Sequence, residues 1–323
     1  MRILFCHGDY RPPGEGGGAE SLLRDQAAGL KALGHECSWW YGEGTLEQAL
    51  DAFDPDVLHF MTIHCYPMGL SPLVYAQQHA IPHLIHVQDY WPFCAGRMLL
   101  IGGDQSCSAV AGECGHECGE VADMREIVNG SYVVAGNAYT ADIYRRNGLR
   151  CDRVVELGVD TTLFAPDHSQ RTPEVSVWTH CAWPEQPTKG MHILRQAAAG
   201  IEVNLMAHVP REKIAAGLKR AHIHVFPSCY EETFGLCLCE AMASGCACIA
   251  SDVAGAKAQI EDGVTGLIVP KRDPDALRAA LLRLLDDADL RERLGHNARE
   301  HVAAEHSLEA MARRWEAAYE EVV

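Results

Sequence analysis

At 323 residues the chain is too long for one ordinary domain and comfortable for two. Its hydrophobic share of 48% and charged share of 22% are those of a soluble globular protein, and no run approaches the roughly 20 apolar residues that a membrane span needs. A formal net charge of −17 argues against a nucleic-acid partner, which requires a basic stripe to neutralise phosphates.

The N-terminus MRILFCHGDY has a short apolar run and no small-residue cleavage site, so it reads as a first buried strand, not a signal peptide. A cytoplasmic protein without a transmembrane segment is expected. Arg2–His7 is that strand, and Glu20–Leu33 follows as a helix, with Leu22, Leu23, Ala27, Leu30 and Leu33 on one face and Gly34 as its stop. Further strands are expected at Cys37–Tyr41, Val57–Phe60, His83–Val87, Tyr132–Ala135 and Val154–Glu156. Strands bridged by helices in this way specify a doubly wound parallel sheet.

Between the third and fourth of these runs His64 follows His59, and His86 sits near the end of the fourth; the three histidines are candidates to converge at strand ends. Beyond them, Cys94, Cys107, Cys114 and Cys118 fall in a glycine-rich, aperiodic loop. Four thiolates in such a loop suit a structural metal, zinc first and an iron–sulfur cluster second, with His116 able to replace one thiol. Disulfides and unbound thiols are the alternatives, although fourteen cysteines without an export signal favour reduced thiols.

Around Phe164–Thr172 the chain turns polar and aperiodic, which marks a linker. The expected units are an N-terminal Rossmann-like domain (1–168), a C-terminal Rossmann-like domain (169–306) and a C-terminal helix (307–323) that packs back on the first. In the second unit strands are expected at Val175–Thr179, Val203–Ala207, Ile223–Pro227, Cys246–Ser251 and Gly266–Val269. Helices fit Pro210–Arg220, Leu236–Ser244 and Pro274–Leu285, the last with Asp273 as N-cap and Pro274 at its first position. Cys237, Cys239, Cys246 and Cys248 alternate with apolar residues and read as small buried hydrophobes. In the tail from Ser307 to Val323, Leu308, Met311, Trp315 and Ala318 share one face of an amphipathic helix.

The segment Pro227–Gly245, PSCYEETFGLCLCEAMASG, holds the most chemistry. It runs from a strand through Phe234-Gly235 into a helix beginning at Leu236. A helix N-terminus offers unpaired N–H groups and partial positive charge, so a phosphate settles there, and Gly235 lets the backbone approach it. Glu232, ahead of the helix, is placed to reach sugar hydroxyls, and Glu240, inside it, to accept hydrogen bonds from a ribose diol.

Glu232 and Glu240 with seven residues between them, and TFG in that interval, resemble the E-x7-E motif of retaining GT-B glycosyltransferases of the family-4 type. The following run, with Ala247–Ser251, Gly255 and Asp262–Leu267, looks like the same family's ending. Gly16–Glu20 resembles its glycine-rich loop by the diphosphate and acceptor, with Gly17 and Gly18 as contacts, and Leu157–Pro166 resembles its interdomain passage. A subset of the family also carries cysteines after its Tyr-Trp pair, here Tyr90-Trp91. Four departures stand out. Gln88 occupies the usual His place before Asp89, leaving His86 as the candidate substitute. The usual diphosphate Arg is missing from Thr179–Ala182 while Lys189-Gly190 remains. Lys257-Ala258 replaces Pro-Glu, and Val203–Ala221 is short.

The resemblance implies an α/β GT-B fold, two Rossmann-like domains facing across a cleft. It implies a hexosyltransferase-type enzyme that transfers a sugar with retention from a nucleotide-sugar, a UDP-sugar first and a GDP-sugar next, to a small-molecule or glycan acceptor. No catalytic metal is expected. Glu232, Lys189, His86 and Asp89 would carry the chemistry, and Gly17, Gly18, Phe234, Gly235, Leu236 and Glu240 would hold the donor. The alternatives are a non-catalytic partner protein that keeps the fold and a GT-B sugar-nucleotide epimerase.

Overall fold

The computed structural model describes residues 1–7, 18–61, 69–94, 100–101, 105–106 and 124–323. In the first half the strands are β1 (Arg2–His7), β2 (Glu36–Trp40), β3 (Val57–Met61), β4 (His83–Val87), the short antiparallel pair β5 (Leu100–Ile101) and β6 (Gln105–Ser106), then β7 (Tyr132–Ala135) and β8 (Arg153–Val154). Helices α1 (Gly18–Ala32), α2 (Leu46–Phe53), α3 (Ser71–Gln78), α4 (Arg125–Asn129) and α5 (Ala138–Arg146) alternate with them. The parallel strands form a six-stranded sheet in the order β2-β1-β3-β4-β7-β8.

The second half contributes β9 (Val177–His180), β10 (Val203–Met206), β11 (Ile223–Phe226), β12 (Ala247–Ser251) and β13 (Leu267–Val269), a five-stranded parallel sheet ordered β10-β9-β11-β12-β13. Between and after them run α6 (Met191–Ala197), α7 (Arg211–Leu218), α8 (Leu236–Ala243), α9 (Ala254–Gln259), α10 (Pro274–Asp286), α11 (Ala288–Glu305) and α12 (Leu308–Glu320). Residues on β3, β11 and β12 are buried throughout, as expected where helices cover both faces of a parallel sheet. Asp273 caps α10 by accepting from the N–H groups of Asp275 and Ala276 at 3.1 and 2.9 Å. No helix among the described residues is long and apolar enough to cross a membrane.

Strand order decides where a ligand can sit. Each sheet reverses its winding once, between β1 and β3 in the first and between β9 and β11 in the second. Crevices in open α/β sheets lie at such switch points, outside the carboxyl ends of the strands. The carboxyl ends of β9 and β11 lead into His180–Lys189 and Pro227–Leu236, the segments that the sequence marks as chemically informative.

After α11 the chain returns to the first half. Helix α12 lies along α1, and Val159 bridges Ser307 where the return begins. Trp315 and Tyr319 are fully buried. The Tyr319 hydroxyl sits 2.8 Å from His59 Nδ1 and accepts from Gln26 Nε2 at 3.0 Å, and the Trp315 ring packs against His59 and His86 with centroids 4.6 and 4.9 Å away. Truncating this anchor, Trp315→Ala, is expected to cost about 3–5 kcal/mol of stability. Urea unfolding measures it; a loss below about 1 kcal/mol would mean that α12 is held by something other than its buried ring.

Candidate active site

A cavity of about 450 Å3 opens between the two sheets. From the first half it is lined by Gly18, His86, Gln88 and Asp89, and from the second by Thr179–Trp183, Lys189, Ser228, Tyr230 and Glu232–Cys237. Its two walls are tied together by hydrogen bonds. Thr233 Oγ1 donates to the Gln88 carbonyl at 2.6 Å, Tyr90 OH donates to the Glu231 carbonyl at 2.9 Å, and Asn137 Nδ2 donates to the Thr233 carbonyl.

Lys189 ends a 3-10 turn, Pro187–Lys189, and Gly190 follows with φ +68°. A Cβ there would stand 1.8 Å from the Pro227 carbonyl oxygen, so only glycine lets this turn tuck beneath the end of β11. The turn delivers Lys189 Nζ to within 2.8 Å of Glu232 Oε1 and 3.3 Å of Tyr230 OH. Tyr230 OH donates to Glu232 Oε2 at 2.5 Å, and Ser228 Oγ lies 3.2 Å from Glu232 Oε1. Burial works against the Lys189 charge, but the Glu232 carboxylate beside it holds the ammonium well above the ordinary lysine value. Next to this pair α8 begins after Gly235, whose φ of +86° suits glycine, and no side chain among the described residues caps the helix. Its first N–H groups are therefore available at the wall formed by Phe234, Gly235 and Leu236.

Glu240 departs from the expectation that it faces a ribose. It is 3% exposed and is not among the residues lining the cavity. Its Oε1 accepts from Arg211 Nε at 2.9 Å and its Oε2 lies 3.0 Å from His180 Nε2. Arg211 reaches across to α1 with its other two nitrogens, each 2.6 Å from an Asp25 carboxylate oxygen. On the far side His180 Nδ1 meets His224 Nε2 at 3.1 Å. Burial opposes charge on His180, yet Cys237 and Glu240 outweigh it and hold the imidazolium up to about 10. Sequence reading missed Arg211, Asp25 and His180. One signal was present: Asp25 stands three residues after Leu22, on the apolar face of α1, where an unpartnered acid would be costly.

In the first half His86 is 1% exposed, lines the cavity, and finds no hydrogen-bond partner for either ring nitrogen among the described residues. Burial pushes its pKa down to about 3. His59 lies next to it, ring centroids 5.8 Å apart, but is turned to Tyr319 and does not line the cavity. Asp89 accepts from the Trp91 N–H at 2.9 Å while lining the cleft. Gly17, His64, Cys107, Cys114, His116 and Cys118 lie outside the described residues. Cys94 is buried at 3% beside Tyr90 and Phe93 in the apolar core. Cys239, Cys246 and Cys248 are buried small residues as expected, but Cys237 is half-buried and lines the cleft, because it occupies the first turn of α8 on the cavity side.

Two facing parallel α/β sheets with a cleft at their switch points define the GT-B architecture. Residues 188–301 match the family described as Glycosyl transferases group 1. The chain is 35% identical over 138 residues to a D-inositol 3-phosphate glycosyltransferase of Corynebacterium kroppenstedtii, covering 43% of this chain and 30% of that one. It is 36% identical over 120 residues to an alpha-D-kanosaminyltransferase of Streptomyces kanamyceticus, covering 37% and 31%. The match thus spans less than a third of the length of either relative. Among solved structures, sucrose-phosphate synthase from Thermosynechococcus elongatus superposes with TM-score 0.76 at 18% identity, covering 99% of both chains. Anabaena HepE, solved with UDP and glucose, superposes with TM-score 0.73 at 17% identity, covering 99% of this chain and 100% of that one.

The buried charges give one prediction. Arg211→Ala leaves Asp25 buried without its counter-charge and Glu240 with His180 alone, and should lower stability by about 3–5 kcal/mol in urea titration; a change below about 1 kcal/mol would show the bridge to be dispensable. The buried neutral histidines give another. Burial pushes His59 and His224 well below the ordinary value, His86 to about 3 and His306 to about 4. These groups take up protons in the unfolded chain first, so their stabilisation is present above about pH 6.5 and is lost as pH falls towards 3–4. At pH 5 His86 alone should cost about 2 kcal/mol. The melting temperature should fall steeply below pH 6.5, and less steeply in His86→Gln; identical acid slopes in the two proteins would refute the assignment.

Proposed function

We propose that the protein is a retaining glycosyltransferase that moves a sugar from a nucleotide-sugar to a small-molecule or glycan acceptor. The observation that carries this reading is the convergence of Lys189, Glu232 and the uncapped start of α8 on one wall of the cleft. The group 1 match over residues 188–301, which include all three, supports it. A UDP-sugar is the first choice of donor, as HepE was solved with UDP, and a GDP-sugar the next.

In this reading the diphosphate lies against the Phe234–Leu236 backbone and Lys189. As the bond between the anomeric carbon and the phosphate oxygen breaks, negative charge grows on the diphosphate. The ammonium and the helix N–H groups already point there, so little reorganisation is needed. Glu232 orients sugar hydroxyls while Tyr230 holds its other oxygen. The acceptor hydroxyl attacks from the face the diphosphate leaves, which retains configuration, and passes its proton to a phosphate oxygen. His86 is neutral and has no partner among the described residues, so it serves as a hydrogen-bond partner to the acceptor, with Asp89 lining the same wall. Glu240 shapes the wall behind the donor through Arg211 and His180.

A thermal-shift panel of UDP, GDP, ADP and dTDP tests the donor. A nucleotide at a hundredfold its dissociation constant should stabilise the protein by about 2.7 kcal/mol, and Lys189→Ala should remove most of that shift. With the donor identified, Glu232→Gln should lower kcat about 100-fold with a smaller change in KM, and the product's anomeric configuration by NMR should match the donor's. No shift with any nucleotide would overturn the reading in favour of a non-catalytic protein of this fold.

A further inference from the structure

Cys237 and Glu240 stand three residues apart in α8, so they share a helix face, and His180 closes β9 opposite them. A His180 ring nitrogen, the Cys237 Sγ and a Glu240 carboxylate oxygen all lie within 4.8 Å of one another. Zinc bonds to nitrogen, oxygen and sulfur at roughly 2.0–2.3 Å, which sets tetrahedral ligand atoms roughly 3.3–3.8 Å apart, so side-chain shifts of about 1 Å bring all three onto one ion. Nitrogen, sulfur and oxygen from three side chains, with one position left over, is the kind of donor set found in open zinc sites. A thiolate disfavours magnesium and calcium, which prefer oxygen ligands throughout.

The surroundings are arranged as an outer shell would be. Glu240 divides its oxygens, giving Oε1 to Arg211 and leaving Oε2 on the side of His180. The contact between His180 Nδ1 and His224 Nε2 fixes the ring so that Nε2 points into the cluster. His224 is fully buried and its Nδ1 has no partner among the described residues, so it makes no competing demand on the site. Cys237 and His180 line the cleft and Glu240 does not, so the remaining coordination position opens to the cavity.

We propose that His180, Cys237 and Glu240 bind a zinc ion in the wall of the cleft, with one position open to the cavity for water or an oxygen of a bound molecule. The site stands whether or not the cleft takes a nucleotide-sugar, and its test uses metal alone. Zinc is titrated into the metal-free full chain against a chromophoric chelator, and the stoichiometry is compared with Cys237→Ser, with His180→Gln, and with a chain carrying Cys107→Ser, Cys114→Ser and Cys118→Ser together. The expected result is one zinc fewer per chain in each single variant, while the triple variant keeps that ion. His224→Leu, which removes the acceptor for His180 without touching a ligand, should weaken the same ion about 10- to 100-fold. Cobalt in place of zinc should give a thiolate charge-transfer band that disappears in Cys237→Ser. Equal zinc stoichiometry in wild type and Cys237→Ser, or a zinc lost only in the triple variant, would overturn the proposal. Circular dichroism of each variant before metal addition confirms that the loss is not one of fold.

Discussion

The Arg211 guanidinium, buried between a carboxylate from each half of the chain, sets the relation on which the cleft depends. It takes Asp25 of α1 with two nitrogens and Glu240 of α8 with the third. Removing three charged groups from water is expensive, and an apolar seam of the same volume could be as stable. What the ion network adds is geometric selectivity. A fork of fixed shape satisfies both acids only when α1 and α8 stand at one separation. Since α8 begins at the cleft and α1 carries α12 on its other side, that separation also places the α8 N-terminus opposite His86.

The cleft has two different electrostatic walls, and each has a structural cause. On the second half an ammonium and a helix N-terminus supply positive character, and the Lys189 charge is kept by Glu232. On the first half His86 is stripped of its charge by burial against Trp315 and His59. The walls are joined through Thr233 to Gln88 and Tyr90 to Glu231, main-chain acceptors in each case. Such bonds are individually modest, worth about 1 kcal/mol net, and they add to the buried Arg211 bridge that already fixes the separation of the halves. An anion entering along the positive wall would leave the neutral wall to an uncharged hydroxyl.

How much of this was legible in the sequence depends on how local each cause is. Arg2–His7, His83–Val87 and Tyr132–Ala135 are strands at the residues expected, because short apolar runs bounded by polar ones leave a buried parallel strand few choices. Asp273 was readable as a cap because capping involves only the next three residues. The Lys189–Glu232 contact was half legible: both residues stood out, but their pairing needs the Gly190 turn to pass under Pro227. Arg211 gave no local sign at all, since its partner Asp25 lies in the other half of the chain. Cys237 and Cys239 looked alike in composition, and only the rotation of α8 against β9 sends one to the cleft and the other to the core.

His86 shows how a two-residue displacement changes the chemistry available. His86 and Gln88 share a face at the end of β4, and both line the cleft. Moving an imidazole from the second position to the first draws it about 6.6 Å deeper along the strand. At the outer position a histidine would be half-exposed, as Gln88 is, and could exchange protons with solvent near neutral pH. At the inner one it lies beneath Trp315, where charging it means placing a cation among aromatic rings beside a second buried histidine. The inner imidazole is thus neutral across the physiological range and limited to giving and taking hydrogen bonds. Positive character in the cleft therefore lies on the opposite wall, at Lys189 and the first turn of α8.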